Sequence, residues 1–126
     1  MKTLFKIIYE SLCGSNQNIS DYRQGIYSSV GILSCLAAVV IACLFYVVLG
    51  RWKNVWHTRV HWTITLVFAA LTGGCAAFIL AKQTIGSVDG YLIQFCLMNA
   101  ALTAGYFFLL SCLFKTFSIH AKRTPF

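Results

Sequence analysis

Residues 26–49 read IYSSVGILSCLAAVVIACLFYVVL and contain no charged residue and no proline. An α-helix rises about 1.5 Å per residue, and a bilayer core about 30 Å thick requires about 20 apolar residues to cross it. This stretch is therefore long enough to span a membrane as a single helix. The residues around it are expected to meet lipid as well as water.

The composition of the whole chain agrees with a membrane protein. Of 126 residues, 59% are hydrophobic and 10% are charged, whereas soluble domains carry about 25% charged residues. The net charge is +7, from ten Lys and Arg against three acids. Because these cations flank apolar stretches, they are expected to contact lipid headgroups and not nucleic acid. The lipid bilayer is therefore the first expected partner.

Two further apolar stretches, residues 62–81 and residues 91–114, have the length of transmembrane helices. The short turn between them, residues 83–90, predicts that these two helices are antiparallel neighbours. The sequence thus predicts an all-α integral membrane protein, a single membrane domain with three transmembrane helices.

A short amphipathic helix is predicted ahead of the spans, over residues 2–12 (KTLFKIIYESL). Its apolar face carries Leu4, Phe5, Ile8 and Leu12, while Lys2, Lys6 and Glu10 lie on another face. Eleven residues are too few for a helix that is stable alone in water. We therefore expect the apolar face to contact either the membrane interface or a partner subunit.

Small residues recur every four positions within the spans, and they predict helix-packing surfaces. Lipid provides little hydrophobic drive between helices, so association depends on close approach of backbones over small side chains. The second span has the densest pattern, which predicts that it is the central and most buried helix. The predicted packing residues are Ser34, Ala38, Ala42, Ala69, Gly73, Ala77, Ala101 and Gly105.

Residues 50–61, with Trp62 beyond them, form a connector rich in Trp and cations. Indole rings favour the headgroup level, and cations there meet phosphates. His57 and His61 have the i, i+4 spacing of metal ligands, but no Cys or acid stands near them in sequence, so no metal or cofactor is expected. The predicted interfacial anchors are Arg51, Trp52, Lys53, Trp56, His57, Arg59, His61 and Trp62.

The polar residues within the third span are the remaining candidates for function. None of the predicted spans contains an ionisable Asp, Glu, Lys, Arg or His, which argues against a self-contained proton-coupled transporter. Asn99 and Thr103 are one turn apart, and Gln94 adds a third polar side chain. These residues are expected either to bond a neighbouring helix or to line the lumen of a homo-oligomer.

No catalytic motif is present, such as a nucleophile elbow, a phosphate-binding glycine loop or paired carboxylates. We therefore expect no enzyme and no small-molecule substrate; a membrane enzyme using His57 and His61 is the weakest hypothesis. The leading hypothesis is a non-catalytic scaffold or assembly subunit of a larger membrane complex, such as a secretion, transport or respiratory assembly. The alternative is a homo-oligomeric channel or holin-like pore lined by the third span.

The distribution of cations predicts an orientation in the cell or inner membrane. The first connector and the basic tail, residues 115–126, hold six Lys and Arg, while the N-terminal segment and the second turn hold four. Cytoplasmic loops carry the excess of Lys and Arg. The C-terminus is therefore expected in the cytoplasm and the N-terminus outside.

Overall fold

The computed structural model describes residues 2–14, 19–52 and 58–117. Within these ranges the chain is helical and forms no strand. Three helices are long and apolar enough to cross a membrane, and a short helix precedes them. The predicted fold class is confirmed, and the chain is a multi-pass membrane protein.

The helices are longer than the apolar stretches that predicted them. The N-terminal helix is Lys2–Cys13, the first span Tyr22–Leu49, the second span Arg59–Ile85 and the third span Gly90–Phe114. The first span continues a helical turn at Ile19–Asp21 and runs on through Gly50–Trp52, and a 3-10 turn at Lys115–Phe117 follows the third. A polar residue or a glycine ends an apolar stretch in the sequence, but the backbone hydrogen bonds of a helix can continue past it.

The ends of the second span have identifiable caps. Thr58 has an extended backbone, and its hydroxyl accepts a hydrogen bond from the His61 backbone N–H, as an N-cap residue does. At the other end Gly86 has φ +77°, and its N–H donates to the carbonyl of Lys82 at 2.8 Å. Glycine enters this left-handed conformation without steric cost, so the helix ends there and the chain turns back.

The first span contains two π-helical turns, at Tyr22–Ile26 and Leu44–Leu49. In the second of these, the Gly50 N–H donates to the carbonyl of Phe45, five residues earlier. Such π turns are uncommon and widen the helix locally. Phe45 and its neighbour Tyr46 are both buried here, so the inward face of the first span is broad at this end.

The second and third spans pack closely against each other, and the first span packs against both. Ala69, Gly73, Ala77 and Ala81 form the buried stripe of the second span. In its most apolar window the first span is 33% buried, against 22% for each of the others. The prediction that the second span is the most buried helix is therefore wrong. The second span buries a narrow stripe of small residues, while the first span buries large side chains such as Tyr27, Phe45 and Tyr46 in addition to its own small residues.

The N-terminal helix packs against the first and third spans. Its Phe5 lies against Gly31, where a Cβ atom would overlap the phenyl ring. One turn later, Tyr9 stacks on Tyr27 with ring centroids 5.2 Å apart. Since Phe5 pairs with the later residue of the first span, the two helices run antiparallel. The N-terminal helix thus extends from one end of the bundle toward its middle.

Candidate functional site

A hydrogen-bonded centre is built around the side chain of Asn99 on the third span. The hydroxyl of Tyr9 donates to Oδ1 of Asn99 at 2.5 Å. The Nδ2 group of Asn99 donates to Oγ of Ser34 at 2.9 Å and to the backbone carbonyl of Gly73 at 2.8 Å. A single amide therefore joins the N-terminal helix to all three spans.

This centre lies close to the middle of the bundle. Asn99 comes nine residues after Gly90, which corresponds to about 14 Å of helix, and Gly73 comes twelve residues before Ile85, which corresponds to about 18 Å. Half of a bilayer core is about 15 Å. At this depth the surrounding hydrocarbon has a low dielectric constant, and an amide without hydrogen-bond partners is costly there. The amide of Asn99 is instead paired through both its oxygen and its nitrogen, and its side chain is buried.

Close packing of the second and third spans makes the Asn99 contacts geometrically possible. The hydroxyl of Thr103 donates to the backbone carbonyl of Asn99 at 2.7 Å, and its side chain lies over Gly73. A Cβ atom at Gly73 would overlap that side chain. The absence of a side chain at this position lets the Asn99 amide reach the Gly73 carbonyl.

Aromatic rings surround the centre on the side toward Gly14. Tyr22 meets Tyr91 edge-on at 5.0 Å, and the hydroxyls of Tyr27 and Tyr91 lie 2.6 Å apart. The hydroxyl of Tyr91 also donates to the carbonyl of Gly14 at 3.2 Å. Phe95 packs against Tyr9, Tyr22 and Tyr27. These contacts connect the end of the N-terminal helix to the first and third spans.

An ion pair closes the same end of the bundle. Arg23 donates from Nε to a carboxylate oxygen of Glu10. This hydrogen bond, with the positive charge of Arg23, holds the pKa of the Glu10 carboxyl below its usual range. The pair links the last turn of the N-terminal helix to the first turn of the first span.

Comparison with protein-family models, with characterised proteins and with solved structures gives no match to this chain. Its function is therefore inferred from the residues and geometry of the chain itself.

The predicted polar residues of the third span lie in two different environments. Asn99 and Thr103 are buried inside the single chain. Gln94 is exposed on the outer face, about one turn from the start of the span. The three residues therefore do not share a face. The Asn99 side chain bonds neighbouring helices of its own bundle, which corresponds to the first of the two roles expected for it.

The predicted packing residues also divide between inner and outer surfaces. Ser34, Ala38 and Ala42 on the first span are buried, and so is the stripe of the second span that holds Ala69, Gly73 and Ala77. Ala101 and Gly105 are exposed. The buried stripe of the third span is instead formed by larger residues, namely Leu92, Phe95, Asn99, Thr103, Phe107 and Ser111.

Among the predicted interfacial residues that the structure describes, Trp62 is packed into the bundle. Its Nε1–H donates to Oγ of Ser111 at 3.1 Å, and its ring lies 6.0 Å from that of Phe107. His61 Nδ1 lies 2.8 Å from the Thr58 hydroxyl. Arg51 and Arg59 are exposed. The Trp52 side chain and residues Lys53, Trp56 and His57 lie outside what the structure describes.

The face of the N-terminal helix that packs on the bundle differs from the face that its hydropathy pattern predicts. Leu4 and Leu12 are exposed, Ile8 is half-buried, and Phe5 packs on Gly31. The inward residues are Phe5, Tyr9 and Cys13. Tyr9 and Gly31 were not among the predicted site residues. The i, i+4, i+8 spacing of Phe5, Tyr9 and Cys13 was a usable signal, because three such residues share one helical face.

The chemistry of the centre is that of helix association. The side-chain polar groups of Tyr9, Ser34, Asn99 and Thr103 all form hydrogen bonds within the chain. Among the residues that the structure describes, no group of three His, Cys, Asp or Glu side chains is arranged to hold a metal ion. The centre therefore positions four helices, and its donors and acceptors are engaged in doing so.

Proposed function

We propose that the protein is a non-catalytic integral membrane subunit that assembles with a partner membrane protein through the outer face of its third span. The observation that supports this most directly is the position of Ala101 and Gly105. The small-residue stripes of the first two spans are used inside the bundle, whereas this pair points outward. Small residues of this kind let two helix backbones approach closely in lipid.

The surface around this pair has the shape of an open groove of about 470 Å³. A Cβ atom at Gly105 would meet no atom within 4 Å. The groove is apolar and extends onto the exposed side of the N-terminal helix; its walls include Leu12, Met98, Leu102, Tyr106 and Leu109. A transmembrane helix of a partner could therefore pack along it while contacting both the third span and the N-terminal helix.

The pore hypothesis receives less support from the same geometry. It requires Asn99 to face a lumen between copies of the chain. The Asn99 side chain is buried and bonded to Tyr9, Ser34 and Gly73 of its own chain. Turning it outward would break these hydrogen bonds to three helices, each worth about 0.6 kcal/mol in membrane proteins.

The test is purification of the full chain in mild detergent, followed by native mass measurement and identification of bound proteins. We expect a complex of defined stoichiometry with a partner subunit. Gly105→Leu fills the groove without touching the Asn99 centre, so it should reduce the bound fraction at least tenfold while the chain remains folded by circular dichroism.

Ala76→Leu is the matched control, because Ala76 lines a separate outward groove between the first and second spans. This control should leave the complex intact. A wild-type chain that is monodisperse and alone in mild detergent would contradict the proposal. Equal loss of the partner in both variants would also contradict it, since the third span would then have no special role.

The proposal includes an orientation, with the first connector and the C-terminus in the cytoplasm of a cell or inner membrane. Its support is the excess of Lys and Arg at that end, six against four. A reporter fused to the C-terminus that is active only in the cytoplasm should give signal. A signal only from a reporter that requires the opposite compartment would reverse the orientation.

A further inference from the structure

The charged residues of the chain are separated between the two ends of the bundle. All three acids lie at one end: Glu10 near the end of the N-terminal helix, Asp21 at the start of the first span and Asp89 before the third. Beyond the other ends of the spans, residues 50–61 and 115–126 of the sequence contain no Asp or Glu; Lys53, Lys122 and Arg123 belong to these stretches but lie outside the described residues. The described cations at this other end of the bundle are Arg51, Arg59 and Lys115. We call it the basic end.

The acids are too far away to neutralise the basic end. The second span is 27 residues long, so Arg59 and Ile85 are separated by about 40 Å of helix. Interactions between exposed charges are largely screened beyond about 8–10 Å at physiological ionic strength. The positive charge of the basic end is therefore expected to attract anions from outside the chain.

The position of Arg59 is not explained by helix stability. Arg59 is the first residue of the second span, and its side chain is exposed. A cation at a helix N-terminus is opposed by the helix dipole, which favours anions there. Arg51, which follows the C-terminal end of the first span, is also exposed. Both guanidinium groups are thus directed to the surroundings of the bundle.

The position of Trp62 indicates the depth of these guanidinium groups in the bilayer. Its ring is held against Phe107 and its Nε1–H is bonded to Ser111, so it is built into the bundle close to the start of the second span. Tryptophan favours the headgroup level. Arg59 lies one turn earlier, which predicts that its guanidinium group reaches the depth of lipid phosphates.

We propose that the basic end binds anionic phospholipid headgroups in preference to zwitterionic ones. Its described cations lie at the ends of three separate helices, beside faces that expose Leu44, Val60 and Leu113. Such an arrangement suits several lipids around the bundle better than one acidic segment of a partner protein. About 1 kcal/mol per Lys or Arg near an anionic surface corresponds to about a fivefold change in local lipid concentration.

Tryptophan fluorescence can test this directly, because Trp62 lies next to the basic end and the other two tryptophans, residues 52 and 56, belong to the sequence that connects the first and second spans. The full chain is reconstituted in vesicles that contain equal fractions of either brominated phosphatidylglycerol or brominated phosphatidylcholine, which quench nearby indole rings. We expect phosphatidylglycerol to be enriched about two- to fivefold at the tryptophans. The enrichment should fall in 1 M salt, where the screening length is about 3 Å.

Two double variants with the same loss of charge separate a local effect from a global one. Arg51→Gln with Arg59→Gln should abolish most of the preference. Lys6→Gln with Lys82→Gln lowers the net charge equally but changes no residue of the basic end, so the preference should persist. Equal quenching by the two lipids in the wild-type chain would overturn the proposal, and so would an equal loss in both variants. Failure to enrich anionic lipid, with binding of polyglutamate instead, would assign the basic end to an acidic polypeptide.

Discussion

The two halves of the bundle are held together by different interactions. Toward Gly14, the helices meet through the Asn99 amide, the Gly73 contact and a group of tyrosines joined by hydrogen bonds. Toward the basic end, Phe45, Tyr46, Phe107 and Trp62 pack as rings. There the bond from Trp62 to Ser111 joins the second and third spans.

The difference shows how a bundle gains specificity in lipid. Rings exchange contacts with neighbouring rings or with acyl chains at little cost, because lipid is as apolar as they are. An amide in the same environment requires particular partners at particular distances. We therefore expect the half that contains Asn99 to determine the register of the spans. The ring-packed half is expected to adopt the register that results.

The largest effect is expected from Gly73→Ala. The added methyl group would overlap Thr103 and separate the second and third spans at the point where Asn99 bonds the Gly73 carbonyl. Overpacking of this kind costs about 1–3 kcal/mol, and loss of the associated bond adds to it. The measurement is the free energy of unfolding in lipid or detergent.

Gly74→Ala is the matched control for that prediction. A Cβ atom at Gly74 would lie 3.4 Å from Cβ of Ala100, an ordinary contact distance. Alanine also favours the helix over glycine by about 1 kcal/mol, so this variant should be neutral or slightly stabilising. If the two variants were equally destabilised, helix flexibility and not the contact with Thr103 would explain the effect.

The sequence was sufficient to predict the spans but not the inward face of each helix. Long apolar stretches without charge determine a transmembrane helix by length alone, which is why residues 26–49 lie wholly within the first span. Which face turns inward depends on partners far away in sequence. Tyr9 and Asn99 are separated by 90 residues, so no local pattern reveals their contact.

Small-residue spacing was informative in the first and second spans and ambiguous in the third. It marked the buried stripe of the second span at Ala69, Gly73 and Ala77. On the third span the same spacing marked Ala101 and Gly105, which are exposed in the single chain. The rule describes surfaces that suit close helix contact, and it does not distinguish contact within a chain from contact between chains.

A smaller effect is expected from Asn99→Leu, and comparison with Trp62→Phe tests the contrast between the halves. Asn99→Leu removes bonds to three other helices, each worth about 0.6 kcal/mol in membrane proteins, and should destabilise the fold by about 2 kcal/mol. Trp62→Phe keeps a ring but loses the bond to Ser111, and should cost about 0.6 kcal/mol. Unfolding free energies measured under the same conditions would give both values.

Thr103→Val is the control for Asn99→Leu. Thr103 donates to a carbonyl of its own helix, so its hydroxyl joins no second helix, and valine keeps the branched shape that lies over Gly73. We expect a change of about 0.5 kcal/mol, the lower end of the net contribution of a neutral hydrogen bond. A cost for Trp62→Phe above that for Asn99→Leu would reverse the proposed order of the two halves.

The smallest effect is expected from pH, through the ion pair of Glu10 and Arg23. The pKa of Glu10 is lowered in the folded chain by its hydrogen bond to Arg23. A lowered folded pKa contributes stability above the ordinary carboxyl pKa of 4.5, and this contribution is lost as the pH falls through the folded value. Wild type should therefore have a slightly higher Tm than Glu10→Gln at pH 7, and the difference should vanish on acidification below pH 4.5. Arg23→Gln should remove the same pH dependence, because both substitutions break one pair. A Tm difference that persists at low pH would instead indicate that Glu10 acts through packing and not through its charge.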